Sequence, residues 1–335
     1  MKNNRLIIYF KKEPVGDSYF PGDRLVLPLI KKLLKRTRTS SLESVFINLC
    51  KGLDALHIPY LKNLPFNKIR PTDRIVVLGM GKNSLKGYNN SNKLVAGIGL
   101  MTHPANWPSL FKDFKVAIYL QHSTWTKNIY NKWFGPNTCT TWPVGIDTDF
   151  WTSKKQKPKK YILVYVKFLW NREQNQETLF KPIIDFLVTK ELAYQVITYG
   201  SYTVKEYKEL LEQSSAMIFL CEHESQGLAY QEAMSMNVPI YAWDQGLWLD
   251  ENRFEWSETA PVPASSVPYF DQTCGKKFKD LKAFYIGFDG FYDAIHQGKF
   301  TPRAYVLASL TLKKSAQRML EILDNVYNTD EEELK

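Results

Sequence analysis

Residues 216–239 read Ala216-Met-Ile-Phe-Leu-Cys-Glu-His-Glu224-Ser-Gln-Gly227-Leu-Ala-Tyr-Gln-Glu232-Ala-Met-Ser-Met-Asn-Val-Pro239. The apolar run to Leu220 has the length and composition of a buried strand, and Gln226 to Met236 has the length of a helix. Between them lie Glu222, His223 and Glu224, and Gly227 stands at the helix start. Asn237 stands where a left-handed residue usually ends a helix, Pro239 follows, and Val238 to Trp243 opens the next apolar run. A strand, a helix and a second strand in this order form a βαβ unit, which predicts a mostly parallel sheet.

The same alternation extends to both sides. Strands are expected at residues 161–168 and 194–199, with helices near 176–188 and 204–213. In the first half the apolar runs predict strands at 5–10, 74–78, 94–101 and 116–120, and helices near 25–35 and 42–56. The run from Trp151 to Lys160 is polar, charged and interrupted by Pro158, so it reads as a linker. Two doubly wound α/β domains are expected, residues 1–150 and 151–335. Ligands of open parallel sheets bind beyond the carboxyl ends of the strands, so the loops after Phe168, Tyr199, Leu220 and Trp243 should line a cleft facing the first domain.

The loop after Leu220 carries the chemistry. A glycine at a helix start lets backbone amides approach an anion, and the helix dipole favours a phosphate at Gly227 and Leu228. Ala229, Ala233 and Met236 are expected to form the core stripe of this helix, with Glu232 at its edge on the cleft side. A carboxylate there suits a pair of vicinal hydroxyls, and Glu224 flanks the same ligand from the loop before the helix. An ordinary crossover with a solvated Glu224 and a structural Glu232 is the competing reading.

The stretch from Glu224 to Pro239 resembles the Glu-x7-Glu signature of the retaining glycosyltransferases of family four, the large GT-B group. Val144-Gly-Ile-Asp-Thr-Asp149, Lys167 with Arg172, and a last helix from Ser309 to Tyr327 agree with that family in order and spacing. The resemblance spans about residues 116–327 and implies a GT-B fold: two Rossmann-like domains and transfer of a sugar from a nucleotide diphosphate with retention. It implies that Lys167 and Arg172 grip the diphosphate, with the family's arginine and lysine exchanged and Val166 where glycine is common. It further implies that Glu232 holds the ribose hydroxyls, Glu224 the donor sugar, and Gly227 with Leu228 the distal phosphate. Tyr199, Gly200 and Ser201 would lie beside the base, although Tyr199 equally suits a core edge. The family's first-domain histidine has two candidates at strand ends, His103 and His122, of which His103 is preferred. The family's paired-glycine loop after the first strand is replaced by Gly16 and Gly22 singly.

The chain has 335 residues and a formal net charge of +10. Residues 1–150 hold 22 Lys/Arg against 9 Asp/Glu, an excess of 13, while the remainder holds 22 against 25. The basic half either serves solubility alone or suits an anionic partner: a lipid-linked or phosphorylated acceptor, the surface of an anionic membrane, or nucleic acid. Around Val26, Leu29, Ile30, Leu33 and Leu34 the cations Lys31, Lys32, Lys35, Arg36 and Arg38 form a basic amphipathic pattern, which suits either ordinary packing on the helix's own sheet or a membrane surface. Apolar runs are too short to cross a bilayer and no signal-peptide core precedes Arg5, so a cytoplasmic protein is expected, at most peripheral to the membrane. Cys50, Cys139, Cys221 and Cys274 are far apart and suggest neither a zinc site nor a disulfide framework. Asp147-Thr-Asp149 spells the metal-binding Asp-x-Asp of GT-A enzymes but sits beside the linker, and Gly79-Met-Gly-Lys82 lacks the P-loop spacing. No cofactor or metal is expected beyond the nucleotide sugar as co-substrate and a glycan or lipid-linked acceptor. The competing readings are a nucleotide-sugar epimerase of the same fold, a nucleic-acid-binding protein, and a glycosyltransferase acting on DNA.

Overall fold

The computed structural model describes residues 4–11, 41–79, 81–153 and 158–332. The expected helix near 25–35, its cations from Lys31 to Arg38, and Gly16 and Gly22 lie outside these residues. The chain divides into two compact units. One comprises residues up to 121 with 130–140 and 316 onward; the other comprises 122–129 and 141–315.

The sheet of the first unit contains β1 (Leu6–Lys11), β2 (Tyr60–Lys62), β3 (Arg74–Gly79), β4 (Leu94–Gly97), β5 (Val116–Gln121) and β6 (Cys139–Thr141), in the order β2-β1-β3-β4-β5-β6. The pairs β1–β2, β1–β3, β3–β4 and β4–β5 are parallel. Leu6–Phe10 of β1 and Ile75–Leu78 of β3 are apolar without a break because both faces of these strands are buried. Helix α1 (Ser41–Ala55) presents Val45, Leu49 and Leu53, a four-residue spacing that puts them on one buried face. The strand expected to reach Met101 stops at Gly97, because Gly97, Ile98 and Gly99 all adopt positive φ.

The second unit holds β7 (Tyr161–Lys167), β8 (Tyr194–Thr198), β9 (Ser214–Cys221), β10 (Ile240–Trp243) and β11 (Gly275–Phe278) in the order β11-β10-β9-β7-β8, with every pair parallel. Side chains alternate across it with the period of a strand. Leu163, Tyr165, Met217, Phe219, Ile240 and Ala242 enter one core, while Ile162, Val164, Ala216, Ile218, Tyr241 and Trp243 enter the other. Helices α2 (Thr124–Phe134), α3 (Lys181–Thr189), α4 (Val204–Gln213), α5 (Leu228–Ser235), α6 (Leu281–His296), α7 (Pro302–Ser309) and α8 (Leu312–Glu332) complete the described elements used below. Thr203 and Glu206 cap α4 reciprocally, each side chain bonding the other's backbone N–H.

The helix expected near 176–188 is present and runs without a gap from Arg172 to Thr189, with a π-turn over Gln176–Phe180 ahead of α3. Pro182 has no N–H for the carbonyl four residues back, and the wider turn absorbs that loss. Where a single break after residue 150 is expected, the chain passes between the units at four points, after residues 121, 129, 140 and 315. Residues 141–150 join the second unit, where Ile146 N donates to Leu310 O at 2.7 Å and Trp142 Nε1 to Ser315 O at 2.9 Å. Gly145 permits this approach, since a Cβ there would lie 2.6 Å from Leu312 Cα. The expected last helix, 309–327, corresponds to α8, which starts at Leu312 just after α7 ends at Ser309 and runs on into the first unit. There Tyr327 OH accepts from Ile75 N at 2.9 Å and donates to Lys93 O at 2.5 Å, and Arg74 pairs with Asp324.

Candidate functional site

In the second sheet, β7 is followed to one side by β8 and then to the other by β9. Connections diverge at such a point and leave a crevice beyond the carboxyl ends of the two central strands. Lys167, the last residue of β7, stands in register with Cys221, the last of β9. Lys167 Nζ donates to Glu224 Oε1 at 2.6 Å, with the two side chains 14% and 12% exposed. Burial acts to lower the Lys167 pKa, but the charge and hydrogen bond of Glu224 outweigh it and hold the ammonium above its ordinary range. The same Nζ lies 4.7 Å from the ring centre of Tyr199, an exposed residue just past β8.

The loops around this pair are held by buried side chains. Glu222 accepts from Leu169 N at 3.1 Å, Trp170 N at 3.2 Å and Asn175 Nδ2 at 3.2 Å, so its carboxylate pins the loop after β7. Burial raises its pKa and the backbone donors oppose that. Gln226 embraces the Val144 peptide, accepting from its N at 2.8 Å and donating to its O at 2.7 Å. Glu224 N donates to Ser265 O at 2.9 Å, and Asp244 fastens that segment by accepting from Ser265 Oγ and Ser266 N. His223 stacks on Trp170 at 4.5 Å and 19°, and meets Trp125 edge to face at 5.7 Å.

Helix α5 begins directly after Gly227, which has φ +81°. A Cβ there would fall 2.2 Å from the Tyr230 ring, so the position needs glycine for its conformation and for space. Leu228 opens the helix, whose first backbone N–H groups have no carbonyl partner within it. Tyr230, Ala233 and Met234 are fully buried, with Met236 nearly so, whereas Ala229 is only half-buried; the expected stripe is rotated accordingly. Asn237 closes the helix at φ +60°, as the sequence indicates. Burial raises the pKa of Glu232 well above the ordinary carboxyl range, and among the described residues nothing donates a hydrogen bond to it. Its electrostatic neighbours are the phenols of Tyr202 and Tyr207.

Lys167, Glu224, Tyr199 and Gly227 therefore come together, with Glu232 one turn into the helix. Arg172 stands exposed at the start of a helical turn, its Nε donating to Phe168 O at 3.2 Å. Gly200 has φ +85°, and Ser201 Oγ donates back to Thr198 O at 2.6 Å, closing the turn after β8. His103 lies in the first unit, where its Nδ1 accepts from Ala105 N at 3.2 Å and its ring meets Trp133 at 5.1 Å. His122 lies in the second unit and accepts from Tyr269 OH through its carbonyl. Burial pushes its pKa down to about 4, against the raising effects of the Trp142 backbone and Gln226. Glu222, Gln226 and the aromatic neighbours of His223 were not singled out by the sequence; only the close spacing of Glu222 and His223 to Glu224 hinted at them.

No family model matches the sequence, and no curated protein matches it. Solved structures do. A glycosyltransferase from Rickettsia africae ESF-5 aligns with a TM-score of 0.53 at 11% identity, over 97% of this chain and 99% of that one. Sucrose-phosphate synthase from Thermosynechococcus elongatus aligns at 0.52 and 11% identity, over 97% and 100%. The lipopolysaccharide outer core galactosyltransferase WaaB aligns at 0.50 and 11% identity, over 97% and 99%. The two Rossmann-like units are those of the GT-B fold.

Proposed function

We propose that the protein is a glycosyltransferase that moves a sugar from a nucleotide diphosphate to a glycan or lipid-linked acceptor, with retention. The observation that carries this reading is the switch point of the second sheet. A buried Lys167–Glu224 pair stands at the carboxyl ends of β7 and β9, and α5 then brings in Glu232 with no hydrogen-bond donor among the described residues. An acidic acceptor without donors suits vicinal ribose hydroxyls, because leaving it unpaired on burial costs about 1–3 kcal/mol that two hydroxyls recover. Lys167, Arg172 and the amides at Gly227 and Leu228 suit the diphosphate, Glu224 the transferred sugar, and the turn at Tyr199, Gly200 and Ser201 the base. His103 and His122 are the candidate imidazoles for the transferred sugar.

In the reaction the bond from the anomeric carbon to the phosphate oxygen breaks and its electron pair leaves with the diphosphate. The acceptor oxygen bonds to the same face, and its proton passes to the departing phosphate. Fixed cations and helix amides stabilise the charge that develops there without reorganising. These groups supply the neutralisation that a divalent metal provides elsewhere, so metal-independent transfer is part of the proposal. The basic excess in the first 150 residues supports an anionic acceptor, lipid-linked or at a membrane surface. Among the described residues no helix is long and apolar enough to cross a membrane.

A thermal-shift series with UDP, GDP, ADP and their hexose conjugates tests the donor reading. One diphosphate family should raise the melting temperature in a concentration-dependent way. Absence of any shift across the series, at millimolar ligand, contradicts it.

A further inference from the structure

His223 and Trp170 have no role in the donor reading, yet they are built into its centre. The imidazole lies between the Trp170 face and the Trp125 edge and is 8% exposed. Trp125 is fastened to the site, since its Nε1 donates to Glu224 O at 2.9 Å. Leu249 N donates to His223 Nδ1 at 3.4 Å, which assigns the ring proton to Nε2. Among the described residues nothing accepts a hydrogen bond from that Nε2. Burial, and then the Lys167 charge, push the His223 pKa down to about 3, so the group is a neutral donor in neutral solution. Trp248 continues the aromatic row at 6.0 Å from Trp125.

The cation that acts on this ring, Lys167, is already paired with Glu224. A neutral N–H donor set among aromatic surfaces, beside a carboxylate, matches the two kinds of surface on a pyranose: C–H groups that lie against rings and hydroxyls that accept a hydrogen bond. We propose that Trp170, His223 and Trp125 form a pyranose subsite in which His223 Nε2–H donates to a ring hydroxyl. The inference deepens the donor reading and rests on it for the identity of the reaction, though not for the binding itself. The pyranose is either the sugar of the donor or the first residue of a glycan acceptor.

The full-length protein is compared with its His223→Phe variant, which keeps a stacked ring and loses the donor, and with Trp170→Phe and Trp170→Ala. Each is first checked for an unchanged circular dichroism spectrum and cooperative melting. Calorimetry with UDP and UDP-glucose, GDP and GDP-mannose, and ADP and ADP-glucose reads the donor arm. Saturation-transfer NMR with methyl glucoside, galactoside and mannoside reads the free pyranose. If the donor sugar is the occupant, His223→Phe lowers the affinity of the hexose conjugate about tenfold while the bare diphosphate stays within about twofold. If the acceptor is the occupant, nucleotide binding is unchanged and the glycoside signal is lost. Glycoside binding that the variants abolish, in a protein that binds no nucleotide, would uphold the subsite and refute the donor reading. Unchanged binding of both kinds of ligand in every variant, or an equal loss for the bare diphosphate, overturns the proposal.

Discussion

The first five strands of the two sheets share one order, read from each unit's own first strand, yet among the described residues their switch points are furnished differently. In the first unit the point falls between β1 and β3, where Lys11 stands in register with Gly79. In the second it falls between β7 and β9, where Lys167 stands in register with Cys221. Lys11 is spent on the face of Phe66, 4.4 Å away, and the ends of β3 and β4 are glycines with positive φ. A Cβ on Gly97 would lie 2.5 Å from the Leu120 backbone, and one on Gly79 2.4 Å from Ser84 Oγ. Lys167 is instead paired with Glu224, and the following loop adds Glu222 and His223. Topology supplies a crevice in each unit, but only the side chains beyond the strands decide whether it holds charge. A site is argued from its residues and not from the fold.

The largest effect should come from splitting the charged pair. Lys167→Met leaves Glu224 buried without a counter-charge and should cost about 3 kcal/mol of stability by urea denaturation. Adding Glu224→Gln should recover part of it. Lys11→Met at the matching position should cost under about 1 kcal/mol. Equal losses at the two positions would erase the contrast between the switch points.

Gly97→Ala should come next. Positive φ and the approach to Leu120 together should cost about 2 kcal/mol or more, read as a lower melting temperature, with nucleotide affinity in the folded fraction unchanged. A fully stable Gly97→Ala protein would show that the glycine ends of the first sheet are not close-packed.

A smaller, pH-dependent effect belongs to Glu232. Its folded pKa is raised, so the stability it contributes is complete below the ordinary carboxylate range and is lost as pH rises through the folded value. Glu232→Gln cannot ionise, so it should gain on the wild type as the pH is raised from about 4 to about 8. Parallel melting curves across that range would mean that Glu232 is solvated. The smallest change is expected from chelation: transfer activity, once assayed, should survive a chelator, and complete loss restored by manganese would redirect attention to Asp147 and Asp149.

Much of the second unit was legible in its sequence because β7, β9 and β10 are mostly apolar and its helices carry clear ends. Val204–Gln213 matched to the residue, and Asn237 supplied the left-handed end of α5. β11 was not legible, since Gly275-Lys-Lys-Phe278 is an edge strand with two exposed lysines and lacks an apolar run. β2 is a three-residue edge strand whose residues are at best half-buried. Of the candidate site, Lys167 and Glu224 were legible as separate residues but their pairing was not, because spacing along the chain says nothing of which charges meet. The part played by Glu222 was hidden for a related reason. Its donors lie 47 to 53 residues upstream, in a loop that becomes its neighbour only when β7 and β9 pair.

Titration of the diphosphate identified by thermal shift into the wild type, Glu232→Ala and Glu224→Gln proteins tests the donor site most directly. Glu224→Gln is used in place of alanine because it keeps an oxygen for the Lys167 ammonium. The expected result is an affinity at least about tenfold weaker for Glu232→Ala, and within about threefold of wild type for Glu224→Gln, whose sugar transfer is nevertheless lost. Equal diphosphate affinity in the wild type and Glu232→Ala would contradict the ribose assignment and the donor site built around it.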